Sequence, residues 1–451
     1  MADDAEPRIA QTLSEKLIES LTAGIPEATP RRISWTVVFP NKATAVIGMR
    51  RAGKTTFLHQ LRRERLGSGT PQARLPYINF EDERLAGIEL RHLSLLLENY
   101  YRRHPAFRGR EVVTWCFDEI QLVPGWERFV RRLLDTEKVE IFLSGSSAAL
   151  LSREVATSMR GRGWEVIIHP FSFEEALRHA GTGVPADLRR VTVAERSVLE
   201  HALLRYLEVG GFPEAQSVAV ADRHELLTRY VDVAMLRDVM ERHNVTNVVA
   251  LHWLVRQLLG NPGGLFSVEK FYARLKSLGI AIARDTLHAL LGYVEDCFLV
   301  RTMWVETDSE RRRMVNPRKV HPVDPALIPI FDQTGRANRG HALETIVRVE
   351  LERRRMGVTY VKTRDGFEVD FLARLPGRPP TLIQVAAELT DPTTHEREVR
   401  ALLAAKSEHP RASLHLVTLT PELAGGIPDE IEMHPAWRWL LAAPPGERAE
   451  R

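Results

Sequence analysis

GMRRAGKT, residues 48–55, is the stretch of sequence that decides the fold of this 451-residue chain. It has the spacing G-x-x-x-x-G-K-[ST], with an apolar stretch at 43–47 before it and a predicted helix at 55–64 after it. A strand, a glycine-rich turn and a helix in this order distinguish a phosphate-binding loop from a chance match. The glycines let backbone amides turn inward around a phosphate, and the helix directs the positive end of its dipole at the anion. The sequence therefore predicts a nucleotide-binding loop.

The polar side chains of this loop have separable roles in nucleotide binding. Lys54 is expected to reach the β- and γ-phosphates, and Thr55 to place its hydroxyl on a magnesium ion. We therefore expect ATP and Mg²⁺ as the cofactors. The residues that we expect to bind the nucleotide are Gly48, Arg50, Arg51, Gly53, Lys54, Thr55 and Thr56.

An apolar stretch that ends in two acids supplies the second half of such a site. Residues 112–117 are mostly apolar, and Asp118 and Glu119 follow them. We expect Asp118 to bind the magnesium ion through water, and Glu119 to polarise the attacking water as general base.

Further polar residues are expected near the γ-phosphate. The predicted strand after the two acids ends in a serine-rich turn, where we expect Ser146, with Ser144 as second choice, to contact the phosphate and the lytic water. Arg160 and Arg162 precede the last predicted strand and are expected to reach the nucleotide of a neighbouring subunit, which predicts a homo-oligomer. The alternatives are an ordinary turn of small residues and surface arginines in local ion pairs.

Short apolar stretches alternate with helical stretches through the first third of the chain. Such strands, separated by helices, are typical of a parallel sheet covered by helices. Helices are predicted at 9–22, 55–64, 87–103 and 124–136, and strands at 43–47, 77–80, 112–117, 140–143 and 166–169.

Segments spread over most of the chain resemble one family, the bacterial and archaeal AAA-type ATP-binding proteins with a C-terminal restriction-endonuclease-like domain. They include GMRRAGKTT, CFDEIQ at 116–121, MRGRGWEVIIHPFSFEEAL at 159–177, GGFPE at 210–214 and FEVDF at 367–371. The resemblance implies an α/β fold with a P-loop AAA-type ATPase core, a helical lid, a winged helix-turn-helix and a C-terminal nuclease-like α/β domain. The predicted bounds are 1–30 for an N-terminal helix, 31–171 for the core, 172–250 for the lid, 251–320 for the winged helix-turn-helix and 321–445 for the nuclease-like domain.

Residues 265–304 have the pattern of two helices and a strand, which suggests a winged helix-turn-helix. Basic residues follow in the predicted wing, where they would bind DNA phosphates without reading the base sequence. The second helix offers few polar side chains for base readout. The alternative is a spacer or a protein-contact module. The residues expected to contact double-stranded DNA are Arg284, Arg311, Arg312, Arg313, Arg318 and Lys319.

The C-terminal segment departs from the nuclease pattern that the resemblance implies. Such nucleases hold a metal with acids on a helix and a hairpin, and place acid-x-Lys on the next strand. Glu344 and Asp370 match the first two acids, whereas Gln384 stands in place of the next acid and Ala386 in place of the lysine. Because an amide is a poorer metal ligand than a carboxylate and alanine cannot orient a hydroxide, we expect a vestigial site without nuclease activity.

Whole-chain composition excludes several classes of protein. A hydrophobic fraction of 44% and a charged fraction of 27% are ordinary for globular domains. The net charge of +3 does not identify a partner. No apolar run is long enough to span a membrane, the acidic N-terminus does not predict a signal peptide, and the two cysteines lack metal-ligand spacing. We therefore expect a reduced, cytoplasmic protein with no membrane partner.

Together these patterns predict a Mg²⁺-dependent AAA-type ATPase that acts as a switch or motor on DNA or on a DNA-bound partner. Two alternatives stay open. One is a regulatory or signalling ATPase whose C-terminal domains contact proteins and never DNA. The other is an ATP-dependent nuclease.

Overall fold

The computed structural model describes residues 5–33, 37–145, 159, 161–332, 338–421 and 426–442. Ser146 and Arg160 lie outside these residues, so their predicted roles stay predictions. The chain divides into two units, Met1–His169 and Pro170–Arg451.

The first unit is built on a five-stranded sheet in which all neighbouring strands are parallel. The strand order is β2-β3-β4-β1-β5, so β1 and β3 each adjoin β4. Because the carboxyl ends of parallel strands meet at one edge, the residues that follow β1, β3 and β4 come together there. The strands are β1 Ala43–Ile47, β2 Tyr77–Asn79, β3 Val113–Asp118, β4 Val139–Ser144 and β5 Gly163–Ile167.

The helices that accompany this sheet in the described residues are α1 Ala5–Thr22, α2 Lys54–Gly67, α3 Leu90–Arg103 and α4 Trp126–Thr136. Helix α2 buries Phe57, Leu58 and Leu61 in a core shared with Cys116 of β3 and Phe142 of β4. The predicted parallel, helix-covered sheet is therefore confirmed, and this packing fixes the N-terminus of α2 at the end of β1.

The second unit begins with helices α5 Phe173–His179, α6 Val193–Val209 and α7 Val220–Val233, the last continued by a π-helical turn at Ala234–Glu241. Ser172 and Thr192 cap α5 and α6 through capping boxes. Phe173 and Tyr206 share one hydrophobic core with residues of the C-terminal sheet and its helices, such as Ile346 and Trp437. The first helices of the predicted lid therefore pack as part of the C-terminal core.

Four helices and a small antiparallel sheet follow in the described residues, in the order expected of a winged helix-turn-helix. They are α8 Val248–Leu259, β6 Leu265–Phe266, α9 Val268–Ser277, α10 Arg284–Asp296, β7 Val300–Met303 and, after the short helix α11 Glu310–Val315, β8 Arg318–Pro322. The sheet order is β6-β8-β7. This segment, residues 248–322, is called the winged segment below.

The C-terminal sheet contains five strands in the order β13-β12-β11-β10-β9. Strands β9, β10 and β11 are antiparallel neighbours, and β11, β12 and β13 are parallel. Helix, hairpin and strand follow one another as the resemblance implies. The elements are α12 Ile328–Phe331, α13 Arg339–Arg353, β9 Gly357–Lys362, β10 Glu368–Arg374, β11 Thr381–Ala386, α14 Pro392–Glu408, β12 Ser413–Thr418, β13 Ile431–Pro435 and α15 Ala436–Leu441.

Candidate functional site

The loop between β1 and α2 has a backbone path that requires glycine at both motif positions. Gly48 has φ +148°, and a Cβ atom there would lie 2.2 Å from the carbonyl oxygen of Ile168. Gly53 has φ +100° and directly precedes α2. Both angles are unfavourable for residues with a side chain, so larger residues at either position would distort the loop. The open end of α2 therefore faces the loop, as anion binding requires.

Lys54 is buried at the first position of α2 and folds back onto the loop. Its Nζ atom donates hydrogen bonds to the carbonyl oxygens of Gly48 and Met49, each at 3.1 Å. A buried ammonium group beside a helix N-terminus concentrates positive charge inside the loop. That charge is suited to the phosphates of a nucleotide.

The carboxylate of Asp118 accepts hydrogen bonds from three hydroxyl groups. Thr55 Oγ1 and Tyr77 Oη donate to its Oδ2 atom at 2.8 and 2.7 Å, and Ser144 Oγ donates to Oδ1. Asp118 is only 1% exposed. The fold thus brings together Thr55 and Asp118, the two residues expected at the magnesium ion, although 63 residues separate them along the chain. A hydroxyl and a carboxylate are oxygen donors that suit Mg²⁺.

Glu119 follows Asp118 in a left-handed backbone conformation, with φ 54°. Its backbone N–H donates to Ser144 Oγ at 3.1 Å, and its carboxylate accepts a hydrogen bond from the side chain of Gln121. Burial raises the pKa of Glu119 above its ordinary value, while the charge of Lys54 acts against this rise. A carboxylate with a raised pKa is a stronger base, which agrees with the predicted role.

Sequence reasoning missed two residues that brace the loop. The guanidinium group of Arg31 donates to the carbonyl oxygen of Ala52, and Arg31 is 6% exposed. Gln60 of α2 holds the backbone of Arg31 on both sides, accepting from its N–H at 2.7 Å and donating to its carbonyl oxygen at 3.0 Å. No motif announces this contact, because Arg31 lies well before the loop in a segment without regular secondary structure.

The remaining predicted residues of the first unit lie nearer the surface. Arg50 lies 3.8 Å from Glu81 in an ion pair, and Arg51 is exposed with φ 65°. Arg162 is 41% exposed in its side chain and forms an ion pair with Asp135. Thr56, predicted to bind nucleotide, is half-buried on the first turn of α2.

A second group of charged residues is buried in the second unit and centres on Lys319. Its Nζ atom lies 3.1 Å from Glu344, 2.9 Å from Glu368 and 2.9 Å from Asp370, and its side chain is 3% exposed. The prediction that Lys319 contacts DNA is therefore wrong, because its ammonium group is enclosed by three carboxylates inside the fold. These four residues are called the Lys319 cluster below.

The Lys319 cluster brings together Glu344 and Asp370, two of the three residues of the predicted vestigial site. The third, Gln384, lies beside them: its amide accepts from the backbone N–H of Asp370 at 3.2 Å and donates to Glu398 at 2.6 Å. The side chain of Gln384 thus holds the backbone of Asp370 and the side chain of Glu398, and the cationic partner of Asp370 is Lys319.

The electrostatics of the Lys319 cluster follow from burial. Burial alone would lower the pKa of Lys319, but the three carboxylates raise it well above its ordinary value. Burial and the charge of Asp370 raise the pKa of Glu344 to about 8. The lysine therefore stays charged at neutral pH, and its positive charge is balanced by the carboxylates around it.

The predicted DNA-contact residues other than Lys319 all lie in the winged segment, but they differ in their contacts and in their exposure to solvent. Arg284 pairs with Glu269 at 3.2 Å. Arg318 lies over the ring of Trp304 at 3.8 Å. Helix α11 carries the others: Arg311 and Arg312 are exposed, Arg313 pairs with Glu310, and the neighbouring Met314 and Val315 are each 77% exposed.

Two family descriptions match parts of the chain: an AAA domain over residues 40–177, and a domain of unknown function (DUF8612) over residues 200–335. The chain is 33% identical to the uncharacterized protein MJ1544 of Methanocaldococcus jannaschii over 416 residues, which cover 90% of this chain and 89% of that protein. It is 29% identical to an uncharacterized protein of Haemophilus influenzae over 78% of this chain and 84% of that protein.

Among solved structures, the Walker-type ATPase PABY2304 of Pyrococcus abyssi is similar, with 18% identity and a TM-score of 0.39 over 71% of this chain and 95% of that one. Because this score lies below 0.5, we infer function from the site geometry and the AAA match instead. Within the described residues, no helix is both long enough and apolar enough to span a membrane.

Proposed function

We propose that this chain, which belongs to the same family as the MJ1544 protein of Methanocaldococcus jannaschii and contains an AAA domain, is a Mg²⁺-dependent ATPase that acts as a switch or motor on double-stranded DNA or a DNA-bound partner. The observation that carries the ATPase proposal is the hydrogen bond between Thr55 and Asp118 beside the buried Lys54. A loop, a cation and a paired hydroxyl and carboxylate at one sheet edge are the parts that bind a nucleotide with its metal ion.

Each residue of the site has one task in this proposal. Lys54 binds the phosphates, and Thr55 with Asp118 holds the metal ion. Magnesium, when bound with ATP, neutralises charge on the phosphates. Glu119 accepts a proton from the attacking water, and the raised pKa that burial gives it favours this transfer.

Ser144 is the residue that we propose for the polar contact at the end of β4, which the sequence assigned first to Ser146. Ser144 donates to Asp118 and accepts from the backbone N–H of Glu119. It thus holds the metal-binding carboxylate and the general base in one arrangement. Loss of the hydroxyl would misplace both groups while leaving the loop itself intact.

Arg162 stays a candidate for contact with the nucleotide of a neighbouring subunit, which would make the active form a homo-oligomer. Its ion pair with Asp135 is exposed, and exposed ion pairs contribute about 0–1 kcal/mol. An ion pair this weak cannot compete with a phosphate for the guanidinium group of Arg162. The group is therefore available when another subunit approaches.

Action on DNA is supported by helix α11, which presents Arg311 and Arg312 to solvent between two strands of the winged segment. Exposed guanidinium groups on a helix between two strands can bind phosphates without reading the base sequence.

The second candidate function, a regulatory ATPase that contacts proteins, is favoured by Met314 and Val315 on the same helix, which are each 77% exposed. Exposed apolar side chains at a helix end suit a protein surface.

Nuclease activity is proposed to be lost in this chain. In the Lys319 cluster an ammonium group already pairs with Glu344 and Asp370, and Ala386 replaces the lysine of the nuclease pattern. Incubating the full chain with supercoiled plasmid and Mg²⁺ or Mn²⁺ tests this. Nicking that disappears in Asp370→Ala would refute the proposal.

The decisive experiment is steady-state ATP hydrolysis by the wild type, Lys54→Ala and Lys138→Ala, with and without duplex DNA at low and moderate salt. Lys138 is an exposed lysine of the same unit, so its variant is the matched control. Turnover that needs Lys54 but not Lys138, and that rises with DNA, supports the full proposal. Turnover that needs Lys54 and ignores DNA supports the regulatory ATPase. No turnover in the wild type under any of these conditions refutes both.

A further inference from the structure

The outer edge of the C-terminal sheet carries two histidines and a glutamate in one cluster. Strands β12 and β13 are parallel neighbours, and their register places His415 opposite Glu432. His434 lies two residues further along β13, and residues two apart on a strand project from the same face. One ligand atom from each of the three side chains lies within 4.8 Å of the others.

We propose that His415, Glu432 and His434 form a binding site for a divalent transition metal of the Zn²⁺ class. Imidazole nitrogens together with one carboxylate are a ligand set that zinc favours, and three protein ligands leave a fourth position open. The site is independent of the nucleotide loop, which lies in the other unit.

The distances between the ligand atoms are close to those of a tetrahedral zinc site. His415 Nδ1 lies 3.9 Å from Glu432 Oε2, and His434 Nε2 lies 3.7 Å from Glu432 Oε1. Ligand atoms about 2.0–2.1 Å from a tetrahedral zinc ion are separated by about 3.3 Å. The two nitrogens are 2.7 Å apart and hydrogen-bonded, so they must separate by roughly half an ångström to share a metal.

A second contact orients the first ligand. His415 Nε2 lies 3.0 Å from Ser413 Oγ, which can accept a hydrogen bond from the Nε2–H group. Donation to Ser413 leaves the lone pair of Nδ1 directed at His434, and metal-binding histidines are oriented by such outer hydrogen bonds.

An ordinary pair of stacked histidines is the competing explanation. The rings are nearly parallel, with an interplanar angle of 8° and centroids 4.9 Å apart. Stacking accounts for the rings but not for Glu432, whose side chain is 70% exposed and still lies within 4 Å of both nitrogens. Its negative charge offsets that of a bound cation.

The position of the site indicates what the metal does. β13 is an edge strand of the sheet, and the ligands come from β13 and its neighbour β12. A bound ion would therefore cross-link β13 to β12 and hold the edge strand on the sheet. Two of the ligands, His415 and Glu432, line a surface groove together with Lys406, Ser413, Asp429 and Glu430. Water or an anionic group in this groove would complete the coordination of a bound ion.

The test is zinc titration calorimetry on the full, chelator-stripped chain with its affinity tag removed. We expect one zinc ion per chain and at least a roughly tenfold loss of affinity in His434→Ala and in Glu432→Gln. Glu432 is exposed, so Glu432→Gln folds even if a histidine variant does not. His224→Ala, an exposed histidine on α7, is the control and is expected to bind like the wild type.

A second readout separates this site from other zinc ligands. Both cysteines are buried, so thiols do not compete in the folded chain. Cobalt bound in place of zinc gives visible absorption of a tetrahedral site in the wild type and in Lys54→Ala, but not in His434→Ala. Absence of zinc binding, or zinc binding that both ligand variants retain, overturns the proposal whatever the ATPase result.

Discussion

Replacement of Lys319 by methionine removes the cation of the Lys319 cluster while keeping the length of the side chain. Glu344, Glu368 and Asp370 then lose their shared ammonium partner. Removing one partner of a buried ion pair costs about 3–5 kcal/mol, because the other charge is left uncompensated. The apolar side chain of methionine does not offset a loss of that size.

The exposure of each carboxylate sets the expected magnitude. The Glu368 side chain is 35% exposed and is screened by water, so it adds little, whereas those of Asp370 and Glu344 are 12% and 11% exposed. Burial and the charge of Asp370 raise the pKa of Glu344, so at neutral pH this carboxyl adds less than a full negative charge. The uncompensated charge is then mainly that of Asp370, and we expect a loss of about 3 kcal/mol at pH 7.

The pH dependence of this loss has a definite sign. Glu344 has an ordinary pKa of 4.5 when unfolded and about 8 when folded, so the folded chain holds more protons between these values. Stability therefore falls as the pH rises through that window. Without Lys319 the pKa of Glu344 rises further, and the variant loses still more stability with rising pH. The penalty is expected to be smaller near pH 5 than near pH 8.5.

Hydrogen exchange in peptides from residues 357–386 measures this loss locally, with peptides of the first unit as an internal reference. A loss of about 3 kcal/mol accelerates exchange roughly 150-fold, since each tenfold change corresponds to about 1.4 kcal/mol. Lys362→Met is the matched control, because Lys362 is an exposed lysine at the end of β9. It is expected to change stability by no more than about 0.5 kcal/mol. Equal exchange in the two variants near pH 8.5, or a penalty that shrinks as the pH rises, refutes the reasoning.

Three further predictions concern the nucleotide site and the winged segment. Ser144→Ala removes the hydroxyl that holds Asp118 and the Glu119 backbone, so we expect kcat to fall about 10- to 100-fold with little change in ATP affinity, measured by steady-state kinetics and nucleotide titration; equal loss of both would indicate a structural role. Arg162→Ala is expected to reduce turnover while ATP affinity is retained, and mixing it with a Glu119→Gln chain should restore turnover if the arginine acts across subunits. Arg311→Ala and Arg312→Ala should each reduce the slope of log affinity for duplex DNA against log salt by about 1, whereas an unchanged slope would contradict phosphate contact.

The nucleotide loop and its two acids could be predicted because their signals are local. The spacing from Gly48 to Thr55 specifies a backbone path, and the apolar stretch before Asp118 specifies a buried strand. The rule that parallel strands end at one edge then brings the two together. Tyr77 and Arg31 could not be predicted in this way, because each acts by a side chain that crosses from another element and follows no repeated spacing.

The structure separates Lys319 from its neighbour Arg318, although the sequence predicts DNA contact for both. Arg318 and Lys319 are adjacent basic residues, and adjacent residues of a strand project to opposite faces. Strand β8 places Arg318 over Trp304 and directs Lys319 at the carboxylates of α13 and β10. The alternation could have separated the two residues, but only the fold reveals that acids lie on the inner side. Lys319 therefore belongs to the predicted site at Glu344 and Asp370, and not to the DNA-binding surface of the predicted wing.

The contact between Lys319 and these carboxylates constrains how the second unit can move. Lys319 belongs to the small sheet of the winged segment, whereas its three acidic partners belong to α13 and β10. The segment that follows β7 also pairs with β9. Val305 forms a β-bridge with Tyr360, and the N–H of Glu306 donates to the Tyr360 carbonyl oxygen at 2.7 Å. Separating the winged segment from the C-terminal sheet would break backbone hydrogen bonds and expose a buried ion pair, at a cost of at least about 3–5 kcal/mol. Nucleotide-driven motion is therefore expected to move these two parts as one body, so that any DNA or protein bound at α11 moves together with the Lys319 cluster.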